Sequence, residues 1–283
     1  MENELHGSSS TERFIPVTSV QDGEGVEVTP DLYSYTTQIV NVCFIGGKGD
    51  EFVLVDAGMP KSAQSIISEI ENRFGSNARP KAILLTHAHF DHIGALLELL
   101  QHWDDVPVYA HKTELPYLQG EKDYERPDQT VEGGMVVKMS PMFPIESINI
   151  SSRVSPLHDD GSIPELPEWE WIHTPGHTEG HVSFFRKRDR ALIVGDAFIT
   201  TKQENLFDVI TQKLEISGPP RYLTTDWEAA KKSVKHLASL HPEVAITGHG
   251  KPVEGKWLAE HLALLARDFD RIAIPDYGKY VDE

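Results

Sequence analysis

His87, His89, Asp91 and His92 fall within six residues, directly after the apolar run Ala82-Ile83-Leu84-Leu85. Imidazole nitrogens and carboxylate oxygens are the donors that zinc, iron and manganese accept, so this cluster can hold a metal ion. A strand end that feeds a helix start lets polar side chains converge on solvent without breaking the core. A lone His-x-His would read as a solvated turn whose aspartate caps the next helix; four ligand-type residues together point to a metal. Three further positions repeat the context. His177 lies in Thr-Pro-Gly-His, Asp196 follows Gly195 after Leu192-Ile193-Val194, and His249 lies in Gly-His-Gly after Val244-Ala245-Ile246. Each time an apolar strand ends, a glycine permits a tight turn, and one ligand-type residue stands at the turn. His177 follows His92 by 85 residues, Asp196 comes 19 later and His249 another 53 later. Such separations must be closed by the tertiary fold. Five histidines and two aspartates are enough donors for two metals if one carboxylate bridges.

The elements that must position these residues alternate along the chain. From Asp31 the β-formers Tyr33, Tyr35, Ile39, Val40, Val42, Phe44 and Ile45 read as strand, closed by a turn at residues 46–50, and Phe52 to Val55 is the next strand. Ala63, Ile66, Ile67, Ile70 and Phe74 recur at helical spacing, with Gly75 as a stop. A buried strand over 81–85, a helix over 93–102 and a strand over 106–109 follow. Strands over 169–173, 182–185, 191–194 and 244–247 and helices over 226–240 and 255–271 complete the pattern, a mixed α/β chain with helices covering sheets. Residues 1–27 read as a polar N-terminal arm. Residues 28–283 read as one domain, with a proline-interrupted lid at about 111–168 whose Met135, Val136, Val137, Met139, Met142 and Phe143 would line a pocket or fill a satellite core.

Composition bounds the partners. With 39% hydrophobic and 25% charged residues the chain has what a packed core needs. Its formal charge of −18 repels phosphate backbones and anionic membranes, and no basic run offsets it, so the expected partner is a small molecule rather than nucleic acid or membrane. Cys43 is the only cysteine, which excludes an intramolecular disulfide and a thiolate-rich metal site. No stretch approaches the ~18 apolar residues of a membrane span, and Met1 to Arg13 lacks the apolar stretch of a secretory signal. A cytoplasmic location is the expectation. The oligomeric state stays open, a homodimer included.

The His-x-His-x-Asp-His run at His87 to His92, the Thr-Pro-Gly-His run from Thr174 to His181, Gly195-Asp196, Gly248-His249-Gly250 and the upstream Val55-Asp56-Ala57-Gly58 resemble the metallo-β-lactamase-fold hydrolase superfamily over roughly Asp31 to Lys256. The resemblance implies a four-layer αβ/βα sandwich with metals at the sheet edges. It also implies that His87, His89 and His177 hold one divalent ion, that Asp91, His92 and His249 hold the other, and that Asp196 bridges them. Zinc is the first expectation, with manganese or iron as alternatives. Two such ions, less Asp91, Asp196 and a bridging hydroxide, leave a net charge of about +1, suited to polarising a carbonyl while the hydroxide attacks. Asp91 and Asp196 are the implied catalytic carboxylates. Asp56, at its strand end, is the first candidate to orient a ligating imidazole, and Thr178 and His181 read as supports of the ligand loop.

The family's chemistries are many, and fold alone does not select among them. A secreted β-lactamase is disfavoured by Asp196 and the missing export signal, and an RNA nuclease by the charge. Glutathione-thioester hydrolases share the motifs but carry a C-terminal helical domain, and lactonases of the family often place a tyrosine where Ile199 stands, with Tyr222 a candidate substitute. The expected activity is hydrolysis of a small ester, lactone or thioester. The alternatives are a mononuclear iron dioxygenase of the persulfide type and a phosphodiesterase.

Overall fold

The computed structural model describes residues 18–281; the greater part of the N-terminal arm, residues 1–17, lies outside them. The chain forms two compact units that interleave in sequence. One runs to Glu125 and resumes over Pro144–Leu166, and the other comprises Arg126–Phe143 and the chain from Pro167 onward.

The first unit is built on a seven-stranded sheet. Strands β1 (Gly25–Thr29), β2 (Leu32–Thr37), β3 (Val40–Ile45) and β4 (Val53–Val55) form an antiparallel meander. The stretch that reads as one strand from Tyr33 to Ile45 folds back at Gln38, whose φ of 56° makes the turn between β2 and β3. Helix α1 (Ala63–Phe74) buries Ala63, Ile66, Ile67 and Ile70 on one face and stops at Gly75, as its spacing predicts. Strand β5 (Ile83–Leu84), helix α2 (Leu96–His102), strand β6 (Val108–Ala110), the short helix α3 (Leu115–Leu118) and strand β7 (Val154–Pro156) follow, with β4, β5, β6 and β7 all parallel neighbours. Phe44, Leu54, Ile66, Ile70, Ile83 and Leu99 meet in the core, each burial stabilising by about 1.5–3 kcal/mol.

Helix α2 begins three residues later than its periodicity predicts. The backbone before it is engaged elsewhere: Ala57 N–H donates to His92 O at 2.7 Å and Gly94 N–H to Gly58 O at 2.8 Å. Gly94 lies so close to Met59 and Pro60 that a Cβ there would sit 2.3 Å from Pro60 N. The ligand run is thereby tied to the chain leaving β4 before the helix starts.

The second unit opens with α4 (Met135–Met139) and is built on a five-stranded sheet. Its strands are β8 (Trp169–His173), β9 (Val182–Arg186), β10 (Ala191–Gly195), β11 (Val244–Thr247) and β12 (Val253–Glu254), in the order β12-β11-β10-β9-β8, with only β10 and β11 parallel. Helices α5 (Leu206–Thr211), α6 (Trp227–Ser239), α7 (Gly255–Arg267) and α8 (Phe269–Ile272) complete it. The helix read as continuous from Gly255 to Arg271 breaks at Asp268, which leaves helical geometry and accepts from the Arg267 and Arg271 guanidiniums. Phe198, Val234, Leu237, Leu258, Leu262 and Phe269 form the core. In the 135–143 segment Val136 and Val137 are buried while Met135 and Met142 are exposed, and Phe143 meets the Tyr222 ring edge-on at 5.9 Å.

Candidate metal centre

In the first unit β4 and β5 run parallel with Val55 opposite Leu84, so Asp56 and the run from Thr86 to His92 leave the sheet at one edge. The ligand atoms of His87 and His89, of His87 and His92, and of Asp91 and His92 each lie within 4.8 Å of one another. All four residues are buried, none more than 6% exposed. Asp56, held at φ 61°, faces this run as the sequence suggests. Its Oδ1 accepts from Thr86 N–H at 2.8 Å, and its Oδ2 accepts from Thr86 Oγ1 and from His92 Nδ1, both at 2.8 Å. Because the Thr86 hydroxyl proton is given to Asp56, its oxygen accepts from His87 Nδ1 at 3.1 Å. The network therefore assigns both imidazoles one tautomer, with the proton on Nδ1 and the lone pair on Nε2.

The second unit gathers the other three residues by the same topological device. Gly195 stands opposite Thr247 in the parallel β10–β11 pair, so Asp196 and His249 leave at one edge, and the loop joining β8 to the antiparallel β9 turns at that edge too. Asp196 Oδ2 lies 3.6 Å from His177 Nε2 and 3.2 Å from His249 Nε2, with all three residues buried. Thr224 gives its hydroxyl proton to Pro220 O at 2.7 Å and faces His177 Nδ1 at 3.3 Å as the acceptor, which again leaves the lone pair on Nε2. His181 is a support, not a third face of this group. Its Nε2 accepts from Asp196 N–H at 2.8 Å, so Nδ1 donates to Thr174 Oγ1 at 2.8 Å, which passes through Ser183 Oγ to Val194 O. Tyr222 is buried two residues before Thr224, and its carbonyl accepts from Asp128 N–H.

Reading the sequence names the seven ligand-type residues and Asp56 but passes over Thr86, Thr174, Thr224, Glu114 and Tyr124. Glu114 Oε2 accepts from Ala88 N–H at 2.9 Å, and Tyr124 donates its hydroxyl to the same carboxylate. Burial, reinforced by the charge of Glu114, holds the Tyr124 phenol well above its ordinary pKa. Asp56 directly follows β4, whereas Glu114 stands four residues beyond the end of β6 and just before α3, so no strand-end position in the sequence marks it.

The donor chemistry fits divalent transition-metal ions: imidazoles with their protons committed to acceptors and buried carboxylates between them. The model for the metallo-beta-lactamase superfamily matches residues 35–249, and the chain belongs to that family. A probable metallo-hydrolase of Bacillus subtilis, YflN, is 51% identical over 263 residues, covering 92% of this chain and 98% of its own. A second from the same organism, YybB, is 30% identical, covering 72% and 78% respectively. Among solved structures, a metallo-beta-lactamase of Cronobacter sakazakii superposes with a TM-score of 0.59 at 18% identity, covering 93% of this chain and 97% of its own. The fold is thus the αβ/βα type that the motifs imply. Family membership and the donor set together support a metal-dependent hydrolase.

Proposed function

We propose that the chain is a binuclear metal-dependent hydrolase of a small ester, lactone or thioester. His87, His89 and His177 would hold one ion, Asp91, His92 and His249 the second, and Asp196 would stand between them, with zinc ahead of manganese and iron. The observation that carries this reading is the buried run from His87 to His92 with its tautomers already set by Asp56 and Thr86. When bound, two divalent ions lower the pKa of water from 15.7 to about 7 and draw charge from a substrate oxygen. The chain's own residues do the rest. Asp56 and Thr86 keep Nε2 of His92 and His87 in donor form, Thr224 does the same for His177, and His181 fixes the backbone from which Asp196 projects. Asp91 takes or returns a proton at a carboxylate oxygen as the leaving group departs.

The charge of −18 supports a small-molecule substrate in place of nucleic acid or membrane lipid, and a cytoplasmic setting is proposed with it. Among the described residues, no helix is long and apolar enough to cross a membrane. A hydroxyacylglutathione hydrolase of Pectobacterium atrosepticum, 27% identical over 168 residues that cover 59% of this chain and 50% of its own, supports keeping thioesters among the substrates.

The test pairs elemental analysis of the purified protein with a panel of lactones, thioesters and phosphodiesters. Two ions per chain and turnover of a lactone, ester or thioester are expected, and Asp196→Ala should lose activity by orders of magnitude while remaining folded. One iron per chain with oxygen uptake would favour dioxygenation instead, and full activity of an ion-free preparation or of the folded variant would overturn the mechanism.

A further inference from the structure

Parallel pairing of β5 with β6 sets Leu84 opposite Tyr109, so the chain leaving β6 runs beside the chain leaving β5. That places Glu114 and Tyr124 against the middle of the His87-Ala88-His89 turn. The Ala88 N–H donates to Glu114 Oε2 at 2.9 Å and lies 3.2 Å from the Tyr124 hydroxyl, which itself donates to Glu114. The Tyr124 ring meets the His89 ring at 4.5 Å, tilted by 56°. Behind it, Tyr117 is stacked at 3.9 Å and 3°, with the Lys122 ammonium 5.2 Å from the far ring. Glu114 is 1% exposed.

We propose that Glu114 and Tyr124 are positioning residues for the metal ion held by His87 and His89, an inference that rests on the function proposed above. Two side chains from one segment fix the turn between two ligands: Glu114 accepts the Ala88 N–H, and Tyr124 braces the His89 ring while its hydroxyl, donated to Glu114, orients the carboxylate that holds the turn. The carboxylate adds a second effect. A neutral acceptor would satisfy the Ala88 amide at a smaller desolvation cost than a buried carboxylate. The negative charge, one peptide unit from both imidazoles, favours a cation at that position over an empty one. Glu114 therefore acts on affinity through charge and through geometry, and Tyr124 through geometry alone.

The test uses the full chain stripped of metal and reloaded with zinc or cobalt(II). Wild type, Glu114→Gln, Tyr124→Phe and His87→Ala are compared by chelator competition and by the cobalt absorption spectrum. Glu114→Gln keeps an oxygen for Ala88 and loses the charge; Tyr124→Phe keeps the stacked ring and loses the hydroxyl. Both are expected to fold, to bind the His87-dependent ion about 10–100-fold more weakly and to shift the cobalt bands. If Glu114→Gln does not fold, Tyr124→Phe gives the reading alone. Wild-type affinity and an unchanged spectrum in the folded variants would overturn the proposal. A different result would overturn the underlying function: a wild-type chain that takes up no ion, or His87→Ala binding as wild type does.

Discussion

The imidazoles of His87, His92 and His177 share one arrangement, in which a hydroxyl or carboxylate takes the Nδ1 proton and leaves Nε2 as the donor atom. Asp56 is the root of two of these three, accepting from His92 directly and polarising Thr86 toward His87. Asp56→Asn keeps the shape but puts an amide donor where an acceptor must stand. If its NH2 faces His92, Nδ1 must accept and the proton moves to Nε2, the atom that would ligate. Substitution of such an outer partner costs about 10–100-fold in metal affinity. Asp56→Asn should therefore bind ions more weakly than wild type in chelator competition, although nothing about its size has changed. Equal affinity would show that the tautomer is set by some other group. Asp56 was legible in the sequence because it ends an apolar strand beside Gly58. The threonines were not, since a hydroxyl becomes informative only when its proton has been traced to an acceptor.

Helix α6 clamps the loop that carries His177. Thr225 and Asp226 both donate their N–H to Gly176 O, Ser233 Oγ donates to Pro175 O at 2.7 Å, and the Asp226 side chain caps the helix by accepting from Ala229 N–H. The loop and helix are so close that a Cβ on Gly176 would lie 2.3 Å from Ala230 N, and the glycine's φ of 134° is one that side chains resist. Gly176→Ala should cost about 1–3 kcal/mol through overpacking, read as a lower urea midpoint, and should reduce ion binding through displacement of His177. An unchanged midpoint would mean the helix yields freely. The long elements were legible for physical reasons: α1 repeats its apolar face over three turns, and β11 is a fully buried run closed by Gly248 just after it. Helices α3, α4 and α5 were not, because four to six residues span too little of a helical period to leave a pattern. Their positions come from tertiary bonds such as that of Gly134 N–H to Glu204 O.

On the scale of the whole chain, residues 126–143 leave the first unit, join the second, and return the chain to the first at Pro144. An excursion of that kind must be held at its start. Asp128 does this by donating its N–H to Tyr222 O at 2.7 Å and accepting from Lys279 N–H at 2.5 Å, which binds the excursion to the C-terminal stretch. The Arg221 guanidinium adds a bond to Glu132. Burial works to raise the Asp128 pKa, but the hydroxyl and N–H of Thr130 and the N–H of Lys279 outweigh it, and the carboxyl titrates below its ordinary value. A group depressed in the folded state stabilises fully above its unfolded pKa, about 3.9, and that contribution is lost as the pH falls through the lower folded value. Asp128→Ala should therefore raise amide exchange at residues 130–134 and 278–281 at neutral pH. Its stability should also decline less steeply than wild type below about pH 4, because the group whose protonation costs wild type stability is gone. Identical acid limbs for the two proteins, with unchanged exchange at both stretches, would mean that the excursion is held by Arg221 and the Glu204 carbonyl without help from Asp128.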